Sequence, residues 1–147
     1  MVRFFSEDIP FNLKGKRKIS KWLKTVAALE GYALGEMNYI FCSDQYLLDI
    51  NKKFLGHDYL TDIITFDNSE DFLMEKGREG VSADIYISID TVRANGESYG
   101  EGFERELLRV IAHGLLHLIG YDDVTESKQK KMRAAENRCL KLYDRGL

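Results

Sequence analysis

The stretch of residues 61–89 decides the fold, because it contains two apolar segments that suit neighbouring strands. Residues 61–66 read TDIITF and residues 81–89 read VSADIYISI. The first segment is rich in β-branched and aromatic side chains, and the second alternates apolar with polar ones, which is typical of a strand with one buried face. Residues 68–80 are acidic and contain glycine, which indicates a hairpin connection or a flexible loop. We therefore expect the two strands to pair as a hairpin, which argues against an all-parallel sheet.

Helices and strands are interleaved on both sides of this hairpin. The remaining predicted elements are strands at residues 2–5 and 36–42, and helices at residues 14–30, 44–54, 90–97 and 101–117 and from about residue 125 onward. This order predicts an α+β fold over residues 1–147 as one compact domain. We expect a mixed, mostly antiparallel sheet of about four strands, packed with about five helices.

The composition is that of a soluble globular protein. Hydrophobic residues make up 44% of the 147-residue chain and charged residues 31%, with a single proline. A net charge of −3 argues against a protein that coats nucleic acid by bulk charge, although basic patches occur within residues 14–24 and 128–141. Cys42 and Cys139 form no CxxC pattern, so buried thiols are expected. Without a signal-like or membrane-spanning stretch, a cytoplasmic location and no membrane partner are predicted.

Residues 113–123, HGLLHLIGYDD, predict a metal site. Two histidines four residues apart on a helix lie about 40° apart around its axis and roughly 6 Å apart along it, so both rings reach one ion. Gly120 allows the backbone to turn back and carry Asp122 or Asp123 toward the imidazoles, and Asp123 has the better register. The spacing is that of the HExxHxxGxxH zinc peptidases, but Gly114 replaces their glutamate. The usual peptidase base is therefore absent.

These residues also resemble a known family, the YbeY endoribonucleases of bacteria. Residues 113–122 match that family's HGxLHLxGYDH motif up to its final histidine, which is Asp123 here. Further similarities are TDIITF at residues 61–66 to the family's TDVLSF, Asn51 to its LN pair, ADI at residues 83–85 to its GDI, and Met132 with Glu136 to its M...E pattern. Together these motifs cover most of the chain in the family's order.

The resemblance implies a metal-dependent endoribonuclease. It implies a single-domain α+β fold, one Zn²⁺ ion held by His113, His117 and Asp123, and hydrolysis of single-stranded RNA during maturation and quality control of 16S rRNA and ribosomes. Ribosomal proteins or the small ribosomal subunit are further implied partners. Because a carboxylate replaces the third imidazole, Fe²⁺ and Mn²⁺ are alternatives to zinc.

One difference from the family concerns a cation. The family carries arginine in a YRG stretch, where this chain has Leu55 within residues 54–56. A different basic side chain is therefore expected to contact the RNA phosphates. The candidates are Lys52, Lys53, His57, Arg93 and Arg109.

Proton transfer also needs an assignment, because Gly114 carries no side chain. Asp122, Asp62 and Asp84 are the candidates, and Asp62 or Asp84 would alternatively orient a ligand histidine. A coordinated water and the 2′-hydroxyl of the RNA are both open as the nucleophile.

Two other functions compete with RNA hydrolysis. A metallopeptidase-like hydrolase shares the ligand spacing but requires another base. A ribosome-associated assembly factor with a structural metal requires a fourth protein ligand.

Overall fold

The computed structural model describes residues 1–69 and 79–147. Its strands are β1 (Val2–Ser6), β2 (Tyr32–Cys42), β3 (Ile63–Asp67) and β4 (Glu79–Ser88). Its helices are α1 (Lys16–Leu29), α2 (Asp44–Leu55), α3 (Ile89–Ser98), α4 (Phe103–Leu118) and α5 (Glu126–Asp144). The predicted α+β fold is thus confirmed, with four strands and five helices in the described part of the chain.

The strands form one mixed sheet in the order β1-β2-β4-β3. β3 and β4 pair antiparallel, with Ile63 opposite Ile87, as the hairpin prediction requires. The connection predicted at residues 68–80 lies largely outside the described residues. The expectation of mostly antiparallel pairing was wrong, because β1 and β2 pair in parallel and so do β2 and β4. Helix α1 returns the chain between β1 and β2, and strand β3, which runs in the opposite direction, returns it between β2 and β4, so both of these pairs are parallel.

Both faces of the sheet are covered by helices. Alternate residues of β4, including Ala83, Ile85 and Ile87, join the main core, to which α1, α4 and α5 also contribute. Tyr86 points the other way and packs with Ile64 in a smaller cluster beneath α2. Successive side chains of a strand point to opposite faces, so these two clusters define which residues of β4 face α4.

Buried hydrogen bonds fix the helices on the main face. The indole Nε1 of Trp22 donates to the carbonyl oxygen of Cys139 at 2.7 Å and joins α1 to α5. The hydroxyl of Tyr39 donates to the carbonyl oxygen of Ile111 at 3.1 Å and joins β2 to α4. Buried aromatic side chains with satisfied polar ends hold a unique packing. Cys42 and Cys139 are buried free thiols, as predicted.

The turn between α4 and α5 is tied down by Tyr121. Gly120 precedes it with φ of 113°, a conformation that side-chain-bearing residues rarely adopt. The Tyr121 hydroxyl donates to Glu30 Oε1 at 2.9 Å and accepts from Arg138 Nη2 at 3.3 Å. Thr125 then caps α5 by accepting from the backbone N–H of Lys128. The turn that carries the motif's two aspartates therefore has fixed ends.

None of the described helices has both the length and the apolar character needed to cross a membrane.

Candidate active site

A cleft of about 420 Å³ opens where α4 meets the start of α5. One wall comes from α4, and the other walls come from the α4–α5 turn and the first turns of α5. The residues that line it are His113, Asp123, Glu126, Gln129, Lys130, Met132, Arg133 and Glu136. Two of the predicted metal ligands therefore face one cleft.

The His113 imidazole is oriented by Glu136. Its Nδ1 lies 2.8 Å from Glu136 Oε2, and only 8% of the Glu136 side chain is exposed. An ionised carboxylate accepts hydrogen bonds only, so in the neutral imidazole Nδ1 carries the proton and Nε2 keeps its lone pair. Burial lowers the pKa of His113, but the hydrogen bond and the negative charge of Glu136 outweigh it, and the net shift is upward.

Arg109 completes this arrangement from one turn earlier on α4. Its Nη1 donates to Glu136 Oε1 at 3.2 Å and to Asn137 Oδ1 at 2.9 Å. Its Nη2 donates to Glu101 Oε1 at 3.1 Å. This packing does not favour the predicted contact of Arg109 with RNA, because the residue is 7% exposed and its guanidinium is held by two carboxylates.

The three predicted ligands are not arranged as a metal-binding group. His117 is exposed on α4, and the exposed Asp123 follows Gly120 in the turn. Across residues 1–69 and 79–147, no three His, Cys, Asp or Glu side chains are positioned to hold an ion. The donor chemistry nevertheless fits a metal at His113, since a histidine that gives Nδ1–H to a carboxylate presents Nε2 as a ligand.

Asp122 stabilises the turn. Its carboxylate accepts from the backbone N–H of Val124 and from Lys128 Nζ, both at 3.2 Å. The backbone hydrogen bond contributes most to lowering the pKa of this partly exposed carboxyl, and Lys128 adds to the effect. A lowered pKa makes Asp122 a weak proton acceptor.

Asp62 has the opposite character. Burial raises its pKa, although the nearby charge of His113 acts against the shift. Its backbone carbonyl accepts from the Ser88 N–H at 2.9 Å, which holds the start of β3 beside β4. Asp62 therefore combines proximity to His113 with a raised proton affinity.

Asp84 is not brought to His113. It lies between Ala83 and Ile85 on β4 and points to the α2 face of the sheet, where Asn38 Nδ2 donates to its Oδ1 at 2.9 Å. Because side chains alternate between the two faces along a strand, Asp84 lies on the face opposite α4. Neither predicted role for Asp84, proton transfer or orientation of a ligand histidine, agrees with this position.

The other predicted RNA contacts are exposed but lie outside the cleft. Lys52 Nζ is 3.3 Å from Asp58 Oδ1, and Lys53 Nζ is 5.2 Å from the centre of the Phe54 ring. The Arg93 guanidinium carbon lies 4.6 Å from the centre of the Phe103 ring. Their positive charges are thus available at the surface, but none of these three residues lines the His113 cleft.

The sequence alone assigned no site role to the α5 residues that line the cleft. Lys130 and Arg133 line it together with Glu136, and Arg133 Nη1 is 3.7 Å from Glu136 Oε1. The two basic residues were visible in the sequence only as part of one of two similar basic patches. The matched M...E pattern pointed to Glu136 but indicated no role for it.

A second buried carboxyl, Glu106, lies on α4 two turns before His113. Its Oε1 is buried and has no hydrogen-bond partner in the described part of the chain, and only 4% of the residue is exposed. Burial raises the pKa of Glu106 to about 7, against the lowering effect of Arg109.

The fold and the cleft together define a small α+β protein with a histidine and carboxylate centre at the end of a buried helix. The family model for endoribonuclease YbeY matches residues 3–144. The chain belongs to the YbeY family, and the resemblance seen in the sequence is confirmed.

Relatives and a solved structure agree with this membership. The proteins named endoribonuclease YbeY from Cytophaga hutchinsonii and Bacteroides thetaiotaomicron are 50% and 45% identical to the chain. Each alignment covers 96% of this chain, and they cover 94% and 98% of the respective relatives. The solution structure of TM1509 from Thermotoga maritima superimposes with a TM-score of 0.63 at 28% identity, covering 97% of this chain and 89% of that one.

Proposed function

We propose that this protein is a metal-dependent endoribonuclease that cleaves single-stranded RNA during maturation and quality control of 16S rRNA. The observation that carries the proposal is the cleft in which His113 of the family motif lies beside carboxylates and two basic side chains. The names of relatives that align with nearly the whole chain support the same activity.

His113, His117 and Asp123 are the proposed ligands of one divalent metal. Zn²⁺ is the first choice, and the two-imidazole, one-carboxylate set also suits Fe²⁺ or Mn²⁺. Holding the ion requires His117 and Asp123 to turn toward His113, and both are exposed at the surface. When bound, such a metal supplies Lewis-acid chemistry, lowering the pKa of a coordinated water and polarising a phosphodiester oxygen.

Asp62 is the proposed proton acceptor. A carboxylate with a raised pKa accepts a proton near neutral pH more readily than an exposed one. Burial raises the pKa of Asp62, and the nearby charge of His113 opposes part of this rise. Asp122, whose pKa is lowered by its hydrogen bonds, instead organises the turn that carries Asp123.

Lys130 and Arg133 are the proposed phosphate contacts that compensate for Leu55. Both line the cleft that contains His113. Arginine offers a planar set of donors that matches phosphate oxygens, and its charge stabilises the negative charge that develops during cleavage. Lys52, Lys53 and Arg93 are proposed to contact RNA outside the cleft.

The proposed setting is the bacterial cytoplasm, with the small ribosomal subunit or ribosomal proteins as partners. An rRNA substrate is presented within such particles. With a net charge of −3, the protein gains little from bulk attraction to RNA, so contacts with a partner would supplement the basic side chains.

A peptidase is not favoured by the packing around Gly114. The residue that follows the first histidine faces the sheet, so the position of the peptidase glutamate does not open into the cleft. An assembly factor with a structural metal is kept as an outcome of the experiment below.

The test combines metal analysis with cleavage of a single-stranded RNA. We expect about one metal per wild-type chain, and loss of cleavage both on chelation and in His117→Ala. The matched control is Gln45→Ala, because Gln45 is exposed on α2, where it donates to Asp49, and it does not line the cleft. Stoichiometric metal without cleavage would favour the assembly factor, and wild-type protein without metal would contradict the proposed site.

The ends of the RNA products distinguish the two nucleophiles. Attack by the 2′-hydroxyl produces a 2′,3′-cyclic phosphate, whereas attack by water does not. The same reaction run on RNA with a 2′-deoxy substitution at the cleavage position separates them independently.

A further inference from the structure

Arg109 is buried, and other protein groups accept hydrogen bonds from its guanidinium. Its side chain is 9% exposed, and its guanidinium donates to Glu101, Glu136 and Asn137. Removing a permanently charged group from water is costly unless its donors are satisfied. The two carboxylates and the amide oxygen satisfy them here.

Glu136 divides its carboxylate between Arg109 and His113. Oε1 accepts from Arg109 Nη1 at 3.2 Å, and Oε2 lies 2.8 Å from His113 Nδ1. Arg109 and His113 are four residues apart on α4, and residues at this spacing lie on the same face of a helix. One carboxylate from α5 therefore bridges two successive turns of α4.

We propose that Arg109 is a positioning residue for the active site. It holds the Glu136 carboxylate so that Oε2 keeps the proton of His113 on Nδ1 and leaves Nε2 directed away from Glu136. Glu101 holds Arg109 from the other side, at 3.1 Å. The inference rests on the proposed function in so far as Nε2 of His113 is to serve as a metal ligand.

A role limited to joining α4 and α5 predicts a different result. In that case loss of Arg109 lowers stability and leaves the His113 tautomer unchanged. A positioning role predicts that the tautomer itself changes, because the acceptor opposite Nδ1 is then no longer fixed. The tautomer is therefore the readout that separates the two roles.

The experiment is ¹⁵N NMR of the histidine rings in metal-free protein, at a pH where His113 is neutral, with wild type and Arg109→Gln compared. We expect the Nδ1–H tautomer of His113 in the wild type and a mixture of tautomers in the variant. Arg105→Gln is the matched control, since Arg105 lies on the same helix and pairs with Asp144 at the surface. Arg109→Lys keeps the charge but not the planar pair of donors, so partial retention of the wild-type tautomer is expected.

The second readout is the affinity for Zn²⁺, measured by competition with a chromophoric chelator. Loss of groups that orient a ligand histidine weakens metal binding by about tenfold or more, and we expect Arg109→Gln to approach this value. Folded Arg109→Gln with the wild-type tautomer and an affinity within about twofold of wild type would overturn the proposal.

A second variant and the metal-free conditions keep the test decisive. If Arg109→Gln does not fold, Arg109→Lys carries the test, because this change keeps the buried charge but lacks the planar pair of donors; a fully wild-type tautomer there would equally overturn the proposal. The tautomer is measured without metal or RNA, so an inactive wild-type enzyme would contradict the proposed function while the inference about Arg109 is still tested.

Discussion

A Cβ atom placed on Gly114 would lie 3.2 Å from Cδ1 of Ile85 on β4. The same atom would lie 3.1 Å from Cδ1 of Ile63 on β3. α4 therefore packs tightly against the sheet one residue after His113, and a side chain at position 114 would have to displace the two isoleucines. At the position that holds glutamate in HExxH peptidases, this chain has a glycine packed between the helix and the sheet.

Gly114→Glu should destabilise the protein strongly. A carboxylate forced among isoleucine side chains loses its hydration without gaining a partner, and we expect a loss of roughly 3 kcal/mol or more in the free energy of unfolding. Urea denaturation measures this change, and Gly114→Ala is the control. There, a gain in helix propensity of up to about 1 kcal/mol offsets the tight contact. Wild-type stability of Gly114→Glu would show that position 114 is open.

Glu106 should make stability depend on pH. Its pKa of about 7 in the folded protein lies above the ordinary value of 4.5, so the folded state binds more protons than the unfolded state between these values. The free energy of unfolding should therefore fall as pH rises through this window, by about 2 kcal/mol between pH 5 and 8. His113, whose pKa is also raised, adds to the decrease in the free energy of unfolding as the pH rises above its ordinary pKa of 6.5.

Glu106→Gln tests this assignment by urea denaturation across the same pH range. The neutral amide removes the proton uptake, so the decrease with pH should become clearly smaller. Glu104→Gln is the matched control, because Glu104 is exposed in the same first turn of α4. Equal pH profiles for Glu106→Gln and wild type would exclude Glu106 as the source.

Asp123→Asn should lose the metal while Asp122→Asn retains it. The first change removes the proposed carboxylate ligand, and loss of one of three protein ligands should reduce affinity by at least about tenfold. The second change weakens only the contacts of the turn with Val124 and Lys128. Metal content after gel filtration and Zn²⁺ competition measure both. Full occupancy of Asp123→Asn would rule out this ligand.

Arg133→Gln should weaken RNA binding and its dependence on salt. Loss of one phosphate contact should lower affinity several-fold and reduce the slope of log affinity against log salt by about 1. Fluorescence anisotropy with a single-stranded RNA measures this. Lys24→Gln is the control, since Lys24 is exposed on α1 and does not line the cleft. Identical slopes for Arg133→Gln and wild type would remove Arg133 from the interface.

The local pattern of side chains was sufficient to predict the hairpin and the motif helix. β3 and β4 could be located because alternation with a period of two reports one buried face, and the β-branched residues around Ile63 favour extended backbone. The motif of His113 could be placed at the end of a helix because Gly120 and the apolar spacing before it are local signals. Each of these features depends on residues close together in sequence.

The parallel pairs and the contacts of the cleft required the tertiary structure. The hydrogen bond between His113 and Glu136 joins residues 23 positions apart on different helices, and no local spacing encodes it. Arg109 and Arg133 are both basic residues on amphipathic helices, yet packing buries the first between carboxylates and leaves the second 55% exposed beside the cleft. Asp84 similarly lies on the face of the sheet opposite α4. Successive side chains of a strand point to opposite faces, and α4 packs on the face to which Ala83 and Ile85 point.

The sequence by itself determined the family, the α+β class and the histidine motif, since these depend on residue identity and short-range periodicity. Only the tertiary structure decided which charges surround His113, because that depends on how α5 packs against α4 and on which side chains this packing removes from water.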